Sequence, residues 1–203
     1  DLRTLDPRIT QSRHEEMIIV QMFDQLISAD SNGNLYPGLA KSWDVSSDGL
    51  HYTFNLRDDV TFHDGTKFDA AAVKATFDSI VDPETGSQGA VDILGPYASS
   101  DVVDEYTVRV NFSRRYGSAL SAFTETELSI VSPTALDSLG NDGFGMSPVG
   151  TGPFMFTNWE ANKKVEMVKN PDYNWAPEYM DGSGPSKVDT LTYRLIKDTS
   201  TRV

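Results

Sequence analysis

LAKSWDVSSDGLHYTFNLRDDVTFHDG, residues 39–65, decides the fold class of this chain. Within it Leu50, Tyr52, Phe54 and Leu56 alternate with His51, Thr53, Asn55 and Arg57. That period of two puts one face of a strand in a core and the other in water. Asp48-Gly49 precedes the run, and Asp64-Gly65 closes a second short alternation at Val60 and Phe62, so two turn signals bracket two predicted strands. Trp43 and Val45 share a parity before the first turn and predict a third strand, making a β-meander with an indole against its core. If that indole is fully buried, Trp43→Ala costs about 3–5 kcal/mol.

Upstream, Ser12 and Glu15 fit a capping box, and Met17, Ile18, Val20, Met22, Phe23, Leu26 and Ile27 supply a broad apolar face. They predict a largely buried helix over residues 13–28. Asn32-Gly33 is a tight-turn dipeptide leading back to the opening stretch. Downstream, Asp69 caps a helix carrying Val73, Phe77, Ile80 and Val81, which must stop before Asp82-Pro83 because a residue preceding proline avoids the helical region. Residues 82–100 read as a loop with one helical turn at 91–94. A strand follows over 107–112, then a short helix over 118–123 and a short strand over 128–131. Ser132-Pro133 starts another helix, with Gly140 as its stop. The glycine-rich run 141–153 returns the chain to β structure at 154–156 and 165–167, either side of a polar turn. Residues 170–187 form an irregular connection, and Leu191, Tyr193 and Leu195 alternate as a last strand.

Composition narrows the function. The chain has 203 residues, with 30 acidic against 17 basic side chains and a formal charge of −13. That charge repels phosphate, and no Lys/Arg cluster with interleaved aromatics offsets it, so nucleic acid is not an expected partner. Cysteine is absent, which removes disulfides, thiolate catalysis and zinc–thiolate sites. No apolar run approaches the length of a membrane span. The chain opens at Asp1-Leu2-Arg3 with neither initiator Met nor signal peptide, as expected of a mature or excised piece.

Three chemistries invite attention and are weighed against simpler roles. His63-Asp64 with His51 offers metal ligands, but a strand face and a turn account for them better. Gly150-Thr151-Gly152 lacks the Lys-Ser/Thr pair of a phosphate loop and reads as a turn entering a strand. Glu125 and Glu127, two apart, would share a face on a strand as a glycosidase pair would, and Trp43, Trp159 and Trp175 add aromatics. A glycan-processing hydrolase is therefore the rival from a second class, and a structural or adhesion module the third. No metal and no cofactor is implied.

Six motifs occur in order along the chain: Leu5-Asp6-Pro7; Pro37-x-Leu39-Ala40-x-x-Trp43; Ser47-Asp48-Gly49-x-x-Tyr52-Thr53-Phe54-x-Leu56-Arg57; Phe62-His63-Asp64-Gly65; Pro148-Val149-Gly150-Thr151-Gly152-Pro153-Phe154; and Asn170-Pro171-Asp172-Tyr173. Together they resemble family 5 of the bacterial extracellular solute-binding proteins, the peptide and nickel group that feeds ABC transporters. Lys67, Ala72 and the extra Asn174 between Tyr173 and Trp175 depart from the family pattern at scaffold positions.

The resemblance implies an α/β fold with mixed sheets, a periplasmic-binding-protein-like type II clamp of which this chain supplies the first lobe. Residues 1–33 with 147–203 would form a discontinuous sheet domain, and 34–146 an accessory α+β domain; the second lobe lies outside the chain. The implied activity is non-enzymatic capture of an oligopeptide, dipeptide or similar small solute for an ABC permease. The implied setting is extracytoplasmic, as a monomer that meets the membrane only through a lipid anchor. Ligand contacts implied by the family are Arg8, Ile9, Thr10, Gln11, Arg13 and His14, after Leu5-Asp6-Pro7, with Gln88 and Glu127 from two further loops. A helix N-terminus and nearby arginines suit a carboxylate or carbonyl. Main-chain hydrogen bonds would hold an extended peptide while pockets tolerate its side chains.

Overall fold

Ser12 caps the first helix of the computed structural model, α1 (Arg13–Ile19), its hydroxyl accepting from the His14 N–H at 3.3 Å. Residues 2–180 and 184–196 are described. The helix does not run on to residue 28. Met22, Phe23, Leu26 and Ile27 are buried as their periodicity requires, but the carbonyls of Gln21, Met22, Asp24, Gln25 and Leu26 accept from the N–H groups of Phe154, Gly152, Ile130, Leu39 and Ala40. Carbonyls committed to distant partners are unavailable to the i→i−4 ladder. Tertiary pairing here outcompetes an amphipathic pattern.

β1 (Ile27–Ala29) and β2 (Leu35–Pro37) form an antiparallel hairpin. Its turn is held by Asp30, whose carboxylate accepts from the N–H groups of Asn32 and Asn34 at 2.8 and 2.9 Å. The opening stretch then gives β3 (Ala40–Val45) and β4 (His51–Leu56), paired Trp43 to Phe54 and Val45 to Tyr52. Gly49 supplies the positive φ of +70° that the Asp48-Gly49 turn demands. Tyr52, Phe54 and Leu56 point into the core as predicted. Trp43 is only half-buried, so the loss estimated for full burial does not apply to it.

The meander itself is not formed. Val60 and Phe62 are buried, yet their segment makes one isolated bridge, Thr61 to Lys67, around a tight turn in which Phe62 N–H donates to Thr66 O. The second neighbour of β4 comes from farther along the chain. α2 (Ala70–Val81) is capped by Asp69, which accepts from Ala72 N–H at 2.9 Å, and ends at extended Asp82. A 3-10 turn (Pro83–Thr85) and α3 (Gly89–Leu94) follow.

β5 (Tyr97–Asp104) and β6 (Thr107–Phe112) complete a four-stranded antiparallel sheet of order β3-β4-β6-β5. The first half of β5 reads as loop in the sequence because two bulges, between Tyr97/Ser99 and Val102/Asp104, break its alternation. α4 (Ala119–Ala122) matches the short helix expected there. Over 128–131 a 3-10 turn (Thr126–Leu128) and buried, unpaired extended chain replace the predicted strand. Ile130 N–H there donates to Asp24 O, and Val131 N–H to Thr76 Oγ1. α5 (Pro133–Met146) starts at Ser132 and breaks at Gly140, whose φ is +68°. β7 (Phe154–Glu160), β8 (Lys164–Lys169) and β9 (Thr190–Arg194) form a third, three-stranded antiparallel sheet.

Two apolar clusters organise these elements. One gathers Phe54, Phe77, Phe112 and Phe123 between the four-stranded sheet and α2, and takes in Leu26, Ile27, Tyr173 and Trp175 from the chain's two ends. The other gathers Leu5, Ile19, Met22, Phe23, Phe144, Val165 and Met167 against the three-stranded sheet.

Candidate functional site

The loop after Leu5-Asp6-Pro7 is fixed from below by a buried ion pair. Asp6 and Arg8 side chains have no exposed surface, and their carboxylate and guanidinium meet through Nη2 at 2.6 Å and Nε at 3.1 Å. Arg8 also donates to Ser79 Oγ on α2 at 3.0 Å and to Asn141 Oδ1 on α5 at 3.1 Å, with its guanidinium 5.6 Å from the Phe144 ring centroid. Such a fork, donating to three side chains from three parts of the chain, is a structural rivet. Arg8, a ligand contact implied by the resemblance, thus has its side chain turned inward with no exposed surface, and the loop presents other residues.

Glu15 performs the same service one layer higher. Its carboxylate is buried and accepts from Arg3 N–H at 2.6 Å, Thr4 N–H at 3.4 Å and the Thr10 hydroxyl at 2.8 Å. The capping box is therefore half-formed: Ser12 caps α1, while Glu15 turns toward the incoming chain and leaves Ser12 N–H to Thr10 Oγ1. Thr10, a predicted contact, is buried in this arrangement.

Of the remaining predicted residues, Ile9, Gln11 and Gln88 gather at one rim. Ile9 is half-buried, and Gln11, Arg13, His14 and Gln88 are exposed. Ser87 Oγ donates to Arg8 O at 2.7 Å, and Gln11 Nε2 donates to Gln88 Oε1 at 3.0 Å, so the 8–12 and 87–89 loops are stitched together. Below them an open cleft of about 590 Å³ is lined by Arg3, Thr4, Ile9, Gln11, Ser12, Glu15, Thr85 and Gly86. Glu127 lies across α1 on the Thr126–Leu128 turn, which packs against that helix. Burial pushes its carboxyl above the usual range; the neighbouring charges of Glu16 and Glu125 add to this and Arg13 opposes it. Gln11 and Gln88 are thus brought together from segments far apart in sequence, while Arg13 acts on Glu127 only through its field.

The rival chemistries lose their geometry. Glu125 and Glu127 sit on a 3-10 turn instead of one face of a strand, which removes the paired-carboxylate premise. The Trp175 indole is buried, its N–H donated to Asp24. His51 Nδ1 pairs with Asn111 Oδ1 at 2.7 Å, and among the described residues no group of three or more His, Asp or Glu is placed to hold a metal.

Asp24 is the cluster the sequence did not announce. It accepts from Thr151 Oγ1 at 2.8 Å, Trp175 Nε1 at 3.0 Å and Tyr173 OH at 3.1 Å. Burial pushes its carboxyl upward and these three donors pull it back. The one available signal was a lone charged residue inside the otherwise uncharged, mostly apolar run 17–27.

Comparison with known proteins identifies the family and the fold. The model of the family "Bacterial extracellular solute-binding proteins, family 5 Middle" matches residues 34–203. Glutathione-binding protein GsiB of Escherichia coli O1:K1 is 32% identical over 199 residues, covering 98% of this chain and 37% of that protein. The chain thus spans little more than a third of the curated relatives it matches. Among solved structures, the ABC transporter-associated periplasmic binding protein DppA from Helicobacter pylori, in complex with peptide STSA, is 29% identical with a TM-score of 0.85, covering all of this chain and 42% of that one. NikZ from Campylobacter jejuni, in complex with Ni(L-His), is 28% identical with a TM-score of 0.83, covering 98% of this chain and 38% of that one. The mixed α/β architecture is that of the type II periplasmic binding proteins. By the extent of the family match and the likeness of its fold, this chain belongs to family 5 of the bacterial extracellular solute-binding proteins.

Proposed function

We propose that this chain is the ligand-facing first lobe of an extracytoplasmic, non-enzymatic binding protein that captures a short peptide and delivers it to an ABC permease. The observation that carries the proposal is the rim itself. Gln11 and Gln88 offer amide donors and acceptors suited to a peptide backbone, and Arg13 and Glu127 offer one charge of each sign for its ends. Arg8 and Thr10 serve from beneath by fixing the loop that presents this rim. Residues 1–33 with 147–203 act as the sheet domain and 34–146 as the accessory domain, the two sharing their apolar clusters: Leu26, Ile27, Tyr173 and Trp175 pack into the first, and Val131, Ala135 and Phe144 into the second. Closure of a second lobe over the rim completes the site.

Calorimetric titration of the full-length protein with di-, tri- and tetrapeptides, glutathione and nickel–histidine tests this. Peptide binding is expected in the micromolar range or tighter, weakened about tenfold by Glu127→Ala or Arg13→Ala, which corresponds to about 1.4 kcal/mol. The isolated 203-residue chain should bind at least 100-fold more weakly. Equal affinity of the isolated chain and the full-length protein would sink the two-lobed site, and turnover of any bound peptide would replace a binding protein by an enzyme.

A further inference from the structure

His63 spans two parts of the molecule that the sequence separates widely. Its backbone N–H donates to Gly150 O at 2.9 Å, and its imidazole Nε2 lies 2.9 Å from Gly152 O. A carbonyl oxygen only accepts, so Nε2 carries the ring proton and Nδ1 is the bare nitrogen of the neutral tautomer. Nδ1 is buried and has no hydrogen-bond partner among the described residues.

The acceptor side has no freedom to follow a moving ring. Gly152 N–H donates to Met22 O at 2.9 Å, and a Cβ on Gly152 would stand 2.5 Å from the Met22 carbonyl carbon. Gly152 O also takes the Asn170 side-chain N–H at 3.3 Å. The surrounding charges are few. Asp64, on the same turn, is the charged group whose field acts on His63; its own carboxylate accepts from Ser132 Oγ and Thr66. Ser132, at the start of α5, and the return Gly150-Thr151-Gly152 carry no charge. Behind the return, Asp24 is held by Thr151, with Tyr173 beside it.

We infer that His63 is an acid-sensitive latch, whose protonation at Nδ1 puts a charged donor where no acceptor lies and frees the 62–66 turn from the Gly150–Gly152 return while the rest of the fold persists. Burial lowers the ring's pKa from 6.5 to about 4, against the weaker opposite pull of Gly152 O and Asp64. The unfolded chain therefore binds the extra proton first as pH falls. Latch stability is complete above about pH 6.5, declines between 6.5 and 4, and is lost below that window. Across it the closing equilibrium should weaken on the order of 100-fold.

Proton NMR titration of the His63 ring, with amide hydrogen exchange of the intact protein from pH 7 to 4, tests the latch. The ring should titrate well below 6. Protection of the His63 amide, corrected for intrinsic rate, should fall on the order of 100-fold relative to that of Phe54. His63→Gln, which keeps a donor and cannot titrate, should hold that protection constant with pH. A ring that titrates near 6.5, or His63 and Phe54 amides that lose protection in parallel, would overturn the latch. If His63→Gln does not fold, the wild-type ring titration and amide comparison decide the question on their own.

Discussion

Arg8→Ala is expected to lower the unfolding free energy by about 3–5 kcal/mol, because it strands the Asp6 carboxylate in a site with no exposed surface. The loss extends beyond the pair. The guanidinium also ties Ser79 on α2 and Asn141 on α5 to the loop, and it lies against Phe144. Urea unfolding followed by tryptophan fluorescence measures the effect. Arg8→Lys should recover little of it, since an ammonium cannot reproduce the fork that meets both Asp6 oxygens. Replacing Asp6 and Arg8 together by apolar residues of similar volume should restore a good part of the stability, because no unpaired charge then remains. A single-mutant loss under 1 kcal/mol would mean that water reaches this site.

Gly152→Ala should cost about 3 kcal/mol or abolish folding, by a different mechanism. Its φ is not in the left-handed region, so the glycine is required by proximity alone. An added methyl would stand 2.5 Å from Met22 C and 2.6 Å from Phe23 N, and backbone cannot rotate out of the way as a side chain does. Gly150 is equally pressed, its Cβ position 2.2 Å from Met22 O. Gly86→Ala separates the two requirements, having a φ of +70° and nothing within 4 Å of the added carbon; about 1 kcal/mol is expected there from the left-handed backbone alone. Circular-dichroism melts of Gly152→Ala, Gly150→Ala and Gly86→Ala rank the three. A Gly152→Ala melt as mild as that of Gly86→Ala would show that the return can lift from residues 22–23.

Elements with short-range causes were legible. β4 announced itself by alternation, α2 by Asp69 and the Asp82-Pro83 stop, and the start and break of α5 by Ser132-Pro133 and Gly140. What failed was structure whose cause lies elsewhere in the chain. Residues 20–26 look helical until one knows that Leu39, Ile130 and Gly152 need their carbonyls. β5 hides behind its bulges, and the partner of β4 could not be named because β6 lies 58 residues away in the pairing of Tyr52 with Val110. At the rim, family resemblance marked the loop but not which way each side chain turns. Arg8 and Arg13 are five residues apart and alike in charge, yet only the first has Asp6, Ser79 and Asn141 within reach.

The carbonyls of residues 21–26 carry one more consequence, for the order in which the chain acquires structure. Their partners come from residues 39–40, 130 and 152–154, so the segment stays incompletely hydrogen-bonded until residue 154 has been synthesised. Loop closure over such separations must precede the contacts that reward it, which delays the commitment of the N-terminal half. The second apolar cluster joins Met22 and Phe23 to Phe154, Val165 and Met167 and is bound by the same delay. A growing chain shorter than this has a sheet to fold but no floor for its binding loop.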